Sequence, residues 1–403
     1  MRKAQGTLDF KPMERLHIAF FGPVNSGKST LVNAICGQEV SLVSPIPGTT
    51  TDPVRKAVEI PGLGPCVLID TAGLDDVSVL GPERERRTRA ILDEADIAVM
   101  VVSPEMGQYH QKGGINDGSV PVFGTVPSLI EAADIPVIPS EASVSHIPVV
   151  TYHRGESVEE LLERIRQAVP TREERFLTGN LVKPGDKVVL VMPQDSEAPK
   201  GRLILPQVQV LRELLDRGCI PVCCTPERLQ QAMETNPDLV ITDSQVFKQV
   251  NAAIPASCPL TSFSILLAAA KGDIKTFVEG ARAINSLKPG DRVLIAEACT
   301  HVPDTEDIGR VKIPALLRRK FCHSERSEES IQVDIAAGND FPEDLSAYSL
   351  IIHCGACVAS ARLVRARIKK ALRAGVPITN YGIAIAALQG ILDRVEIPGL
   401  GRE

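Results

Sequence analysis

Arg15 to Phe21 form an apolar run with β-branched and aromatic content, followed by a glycine-rich turn and the helix-like stretch STLVNAICG. The chain therefore opens as strand, loop, helix. Val67 to Ile69 and Ile97 to Val102 read as further buried strands, and Ser157 to Ala168 as an amphipathic helix with a serine N-cap and early acids. Strands alternating with helices predict a parallel, doubly wound α/β sheet. Between Pro170 and Asn180 the pattern gives way to a polar stretch, which marks a first boundary.

Beyond that boundary the pattern repeats itself. Lys183-Pro184-Gly185-Asp186 precedes the strand KVVLVM, and Lys288-Pro289-Gly290-Asp291 precedes RVLIAEA. GRLILP from Gly201 and GRVKIP from Gly309 each lead into a helical stretch. LVIT at 239–242 matches LIIH at 350–353, and PLTSFSILLAAAKG from Pro259 matches PITNYGIAIAALQG from Pro377. Four pairs in one order argue for two copies of one α/β unit. The expected organisation is 1–174 as a P-loop GTPase-like domain, then the copies at 175–282 and 283–403. The offset grows from 105 residues at Lys183 and Lys288 to 118 at Pro259 and Pro377, so the second copy carries insertions. Cys322 to Ser330, CHSERSEES, is polar enough to be a solvated loop.

Composition narrows the function classes. A chain of 403 residues has room for two or three cores. Fifty acids against 44 bases give a net charge of −6, so nothing global draws it to DNA, RNA or an anionic membrane. With no Trp and 3% aromatics, the cores must be aliphatic. No apolar run is long enough to span a membrane, and the first residues lack the apolar core of a secretory signal, so a cytoplasmic location is expected. In that compartment ten cysteines point to metal binding or redox chemistry rather than disulfides.

Gly22-Pro23-Val24-Asn25-Ser26-Gly27-Lys28-Ser29 has Walker A spacing between a strand and a helix. Its glycines let backbone N–H groups approach phosphate oxygens, Lys28 neutralises their charge, and Ser29, with Thr30 behind it, starts the helix beside Mg²⁺. Gly48-Thr49-Thr50-Thr51-Asp52 follows, where a Thr50 or Thr51 hydroxyl can close on Mg²⁺ and the γ-phosphate. Asp70-Thr71-Ala72-Gly73 supplies a metal-holding carboxylate in Asp70 and a γ-phosphate-sensing amide in Gly73. In this order the three motifs resemble GTPases of the TrmE–Era type. The resemblance covers about the first 170 residues and implies GTP and Mg²⁺ as ligands. Asn25 stands where that class often places the asparagine of potassium-assisted enzymes, which implies K⁺ as a further activator. Leu74 follows Gly73, so no Gln orients the attacking water and slow hydrolysis is expected. Asn-Lys-x-Asp is absent, and Thr151-Tyr152-His153 replaces the usual Ser-Ala-Lys, so poor guanine selectivity is expected.

Cys299-Thr300-His301 and His353-Cys354-Gly355-Ala356-Cys357 lie 51 residues apart, each just after an expected strand. A doubly wound unit brings both to the carboxyl edge of one sheet, where such folds bind ligands. Three thiolates and an imidazole suit either Zn²⁺ or an iron–sulfur cluster. The first copy has Gln194 and Asp243 at the positions of Cys299 and Cys354, so the site is an addition to a shared scaffold. Cys36, Cys66, Cys219, Cys223, Cys224, Cys258 and Cys322 read as small buried residues or bystanders.

With these motifs, DSEAPKGRLILPQVQ and PITNYGIAIA included, the chain resembles over its full length the HydF family, the GTPase maturation factors of [FeFe]-hydrogenase. That resemblance implies a [4Fe-4S] cluster on Cys299, Cys354 and Cys357, with His301 or His353 as an exchangeable fourth ligand or a supporting hydrogen-bond partner. It implies a scaffold that carries the diiron subcluster to apo-hydrogenase, working with radical-SAM maturases of the same pathway. It also makes the middle domain a homodimerisation domain, with no nucleic-acid or membrane partner. Two other readings fit parts of the chain: an RNA- or ribosome-associated GTPase with an iron–sulfur sensor, and a non-enzymatic zinc module with a relic nucleotide pocket.

Overall fold

The computed structural model describes residues 15–37, 53–72, 88, 90–102, 123–125, 147–169, 176–194, 201–298, 307–321, 331–338 and 340–400. The chain divides into two compact units, Met1–Glu174 and Arg175–Glu403.

The first unit is built on a six-stranded sheet. Its strands are β1 (Leu16–Phe21), β2 (Val54–Ile60), β3 (Gly64–Asp70), β4 (Ile97–Val102), β5 (Phe123–Thr125) and β6 (Pro148–His153), in the order β2-β3-β1-β4-β6-β5. The central strands pair in parallel, and β2 and β5 are antiparallel edges. β1, buried at every position, is the middle of the sheet, which is why its sequence is continuously apolar rather than alternating. β2 alternates between exposed and partly buried residues, as an edge with one solvated face requires. Helix α1 (Lys28–Cys36) follows β1, and α2 (Val158–Ala168) follows β6 with Ser157 accepting a hydrogen bond from the Glu159 amide. This is the P-loop GTPase fold.

The second unit contains the two copies. Sheet strands β7 (Lys187–Val191), β8 (Ile220–Cys224), β9 (Leu239–Thr242) and β10 (Leu260–Ser262) run in the order β10-β9-β7-β8. Strands β11 (Arg292–Glu297), β12 (Gln332–Ala337), β13 (Leu350–His353) and β14 (Ile378–Asn380) run β14-β13-β11-β12, the same order. All pairings in both sheets are parallel. The duplication extends to turn geometry. Gly185 and Gly290 both have φ near +90°, and Asp186 and Asp291 accept from the Lys183 and Lys288 amides at 2.9 and 2.7 Å.

Helices α3 (Leu205–Asp216), α4 (Leu229–Met233), α5 (Phe247–Ala253), α6 (Phe263–Lys271) and α7 (Ile274–Arg282) belong to the first copy by sequence. Helices α8 (Ile313–Phe321), α9 (Ala361–Arg373) and α10 (Tyr381–Leu388) belong to the second. One apolar core runs through both, joining Val189, Phe247 and Leu260 to Ile295, Ile352 and Ile383. Helix α7 lies before residue 283 yet packs on β14, close enough that a Cβ at Gly280 would sit 2.0 Å from the Ile378 carbonyl oxygen. No helix among the described residues is long and apolar enough to cross a membrane.

Candidate functional site

The phosphate loop leaves the carboxyl end of β1. Gly22 has φ +152°, and a Cβ there would meet the Val101 carbonyl oxygen at 2.5 Å, so a side chain at this turn would collide with β4. Asn25 at φ 61° and Gly27 at φ 98° curl the loop back onto the start of α1. Lys28 is buried, its Nζ donating to the carbonyls of Gly22 at 3.0 Å and Pro23 at 2.7 Å. The cation thus lies across the loop. The buried Ser26 hydroxyl has no hydrogen-bond partner among the described residues. Ser29 and Thr30 follow in the first turn of α1, and fully buried Asp70 ends β3 beside β1, with Phe20 as its register partner. Thr71 donates to the Phe20 carbonyl at 2.6 Å and ties the two strand ends together. The structure thus brings Gly22, Asn25, Ser26, Gly27, Lys28, Ser29, Thr30 and Asp70 to one end of the sheet. Thr50, Thr51, Gly73 and Leu74 lie outside the described residues.

The strand beside β4 is β6, carrying Thr151-Tyr152-His153, and β5 pairs antiparallel to it at the outer edge. Tyr152 donates its hydroxyl to the Glu156 carbonyl at 3.0 Å. Arg154, missed in the sequence, stands against the phosphate loop, its Cδ and Nε each 3.9 Å from where a Gly27 Cβ would lie.

In the second unit β13 ends at His353, level with Ala296 of β11. Cys354 follows directly, and its Sγ accepts from the Ala298 amide at 3.1 Å and the Ala356 amide at 3.4 Å. Two backbone donors converging on sulfur favour a thiolate there. Burial pushes the thiol pKa up, against the pull of these amides and the Arg367 guanidinium. Ala356 has φ 51°, so the loop turns sharply, and Cys357 is half-buried. Cys299 and His301, with the nearby Asp304 and Glu306, lie outside the described residues. Cys299 is next in sequence to Ala298. Among the described residues, no three potential ligands group together.

His353 is fully buried. Arg367 Nη1 lies 3.3 Å from its Nε2, and its Nδ1 is 2.8 Å from the Cys354 carbonyl oxygen. One tautomer satisfies both contacts, with Nδ1–H donating to the carbonyl and Nε2 accepting from the guanidinium. Burial first, and the Arg367 charge second, push its pKa down to about 3, so the ring is neutral at neutral pH. Both ring nitrogens are engaged by protein. Arg367, 4% exposed, also donates to the Glu297 carbonyl at 3.1 Å and lies over the Phe341 ring at 4.8 Å. Asn380, the N-cap of α10, donates through Nδ2 to the Cys354 carbonyl at 3.3 Å. Arg367 and Asn380 were not singled out in the sequence. Their signals are an arginine on the inward face of an amphipathic helix and an asparagine just ahead of an apolar one.

Of the remaining described cysteines, Cys66, Cys219 and Cys258 are buried, Cys36 and Cys224 partly so, and Cys223 exposed. Burial raises the Cys224 pKa to about 11, and the neighbouring Cys223 and Glu227 add to the rise, which makes Cys224 a poor thiolate.

Residues 177–272 match the hydrogen maturase F dimerization domain, and residues 275–397 match the hydrogen maturase F tetramerization domain. The chain belongs to the hydrogen maturase F family. Residues 17–120 match the 50S ribosome-binding GTPase family, so this maturase-family chain joins a GTPase domain to two modules named for self-assembly. The tRNA modification GTPase MnmE of Methylobacterium sp. (strain 4-46) is 40% identical over 114 residues, 28% of this chain and 26% of that protein. MnmE of Neisseria gonorrhoeae (strain NCCP11945) is 37% identical over 126 residues, 30% of this chain and 26% of its own length. The chain spans about a quarter of the length of these curated relatives. The Era GTPase of Aquifex aeolicus bound to GDP and AlF4⁻ aligns over 55% of this chain and 98% of its own at 20% identity, with a TM-score of 0.27.

Proposed function

We propose that this chain is a GTP-hydrolysing scaffold that assembles a diiron subcluster and delivers it to apo [FeFe]-hydrogenase, with residues 1–174 as the nucleotide domain, 175–282 as the dimerisation domain and 283–403 as the cluster domain. In the first unit Lys28 and the loop amides bind the phosphates. Ser29, Asp70 and a hydroxyl from Thr50 or Thr51 would hold Mg²⁺, which would offset the phosphate charge, and Gly73 would sense the γ-phosphate. With Leu74 in place of a water-orienting Gln, turnover is slow, and Asn25 gives K⁺ a place beside the phosphates.

The observation that carries the cluster assignment is the sulfur of Cys354, held by two backbone donors where β13 ends and the chain from β11 arrives at Ala298. That donor set suits a soft, thiolate-bound metal centre, and Cys299 and Cys357 supply the other two thiolates. A [4Fe-4S] cluster held there would supply an exchangeable iron site for taking up and handing on the diiron cargo. His353 keeps both ring nitrogens on protein groups and so supports Cys354, which leaves His301, Asp304, Glu306 or water for that site.

The test is activation. Full-length protein, anaerobically reconstituted and loaded by radical-SAM maturases, is mixed with apo-hydrogenase, and hydrogen evolution is followed. Wild type should activate, and Cys354→Ser and Cys357→Ser should not. Equal activation by both variants would contradict the carrier role.

A further inference from the structure

Helix α6 reads FSILLAAAK, and Lys271 is its one charged residue and its last. The side chain is 6% exposed. Its Nζ donates to three carbonyls of one loop: Ala356 at 2.7 Å, Ala359 at 2.9 Å and Cys357 at 3.2 Å. An ammonium carries three N–H donors, and this loop offers it three acceptors. The helix belongs to the middle module by sequence, whereas the carbonyls lie on the cysteine loop of the last.

Lys271 does not reach across alone. Leu267 and Ser264, one and two turns earlier on the same helix face, also line the loop. A Cβ at Gly355 would lie 3.6 Å from Ser264 Oγ and 3.9 Å from Leu267 Cδ1. The Ser264 hydroxyl donates to Asn380 Oδ1 at 3.0 Å, and Asn380 in turn donates to the Cys354 carbonyl. The floor under Cys354 and Cys357 is thus a helix of the other copy.

The duplication provides an internal control. Aligning PLTSFSILLAAAKG with PITNYGIAIAALQG puts Gln389 at the place of Lys271, and the copy facing α10 carries no cysteine loop. Helix packing alone therefore does not require a cation at this position. Burying an ammonium is costly unless its hydrogen bonds are all made. The charge stands where it meets the loop that carries Cys354 and Cys357.

We propose that Lys271 is a positioning residue for the metal centre. It clamps the Cys354–Ala359 loop from the neighbouring module, and its fixed positive charge favours the reduced, more negative state of whatever centre the cysteines hold. The second half of this statement rests on the cluster reading above; the clamp does not.

The test uses the full chain with Lys271→Gln, which imports the other copy's residue, and Lys271→Arg, which keeps the charge. In metal-free protein, amide hydrogen exchange across 354–359 should be at least tenfold faster in K271Q, with the buried strands β11 and β13 unchanged. In reconstituted protein, a redox titration followed by electron paramagnetic resonance should show about a tenfold lower reduced-to-oxidised ratio at fixed potential. For a one-electron couple that is a shift of about 59 mV to more negative values. K271R should keep the wild-type potential. Wild-type exchange and potential in K271Q would overturn the proposal. If K271Q loses protection throughout the second unit, K271R decides: a wild-type potential supports the charge effect, and a shift as large as tenfold overturns it. A wild-type protein without a cluster, or Cys354→Ser that keeps its iron, would instead refute the cluster reading and leave the exchange result to judge the clamp.

Discussion

His353 shows how environment, more than residue type, sets a role. In sequence His353 reads as either a fourth ligand or a supporting hydrogen-bond partner; in the fold both its ring nitrogens meet protein groups, and burial and the Arg367 guanidinium hold it neutral, with its pKa lowered to about 3. The sign of the pH dependence follows. In the unfolded chain an imidazole takes a proton below about 6.5, and the folded site resists it. Stability from this site is therefore complete above that value and is lost as pH falls toward 3, by about 1.4 kcal/mol per unit. Urea unfolding of the metal-free protein at pH 7 and pH 5 should show a loss from this site on the order of 2 kcal/mol. In His353→Gln, whose amide can still accept from Arg367 and donate to the Cys354 carbonyl, that part of the loss should disappear. Equal losses in both proteins would contradict the neutral assignment. At the phosphate loop, Lys28→Ala should abolish GTP hydrolysis, and Gly22→Ala should do the same by driving a methyl group into the Val101 carbonyl. A phosphate-release assay checks both, and hydrolysis near the wild-type rate in either would remove the loop from the mechanism.

At the scale of elements, sequence patterning located what is long or continuously apolar. β1, β4, α1 and α2 stand where the apolar runs and the Ser157 cap place them. β2 escaped because it is an antiparallel edge with one wet face, so no apolar run marks it. β10 and β14 escaped because each is three residues long and merges into the helix that follows. The sites divide in the same way. Walker A glycines and clustered cysteines are local signals, whereas Lys271, Arg367 and Asn380 act only after folding brings distant elements together. Gly280→Ala should separate α7 from β14 and destabilise the second unit by about 3 kcal/mol, the upper end for overpacking. Calorimetry should show the lower transition, and an unchanged one would mean that the helix shifts at no cost. At the base end, a pocket without the usual aspartate forgoes charged hydrogen bonds worth on the order of 1.5–3 kcal/mol. GTP, ATP and ITP should therefore compete within roughly a hundredfold of one another. A GTP preference of about a thousandfold or more would show that Arg154 or another group has taken over the reading of the base.

At the scale of the whole molecule, duplication explains both the architecture and the site. Two copies with one strand order share a core, and each presents its sheet's carboxyl edge. The second copy carries Cys354 and Cys357 in the loop after β13, where the first copy has Asp243 and no cysteine directly after β9. Family matches name both copies for self-assembly, one for dimerization and one for tetramerization, and add an assembly level beyond the homodimer expected from the sequence. The GTPase domain, a separate compact unit, is joined by chain connectivity to both. On the proposed function, the cysteines at the end of β13, with Cys299, hold an iron–sulfur cluster whose presence does not depend on the nucleotide site. Anaerobic reconstitution followed by iron and sulfide analysis and electron paramagnetic resonance tests it most directly. Wild type and Lys28→Ala should each hold about four iron and four sulfide per chain with the signal of a reduced [4Fe-4S] centre, and Cys354→Ser should hold neither. One zinc and no iron in wild type, or a full iron complement in Cys354→Ser, would contradict the account.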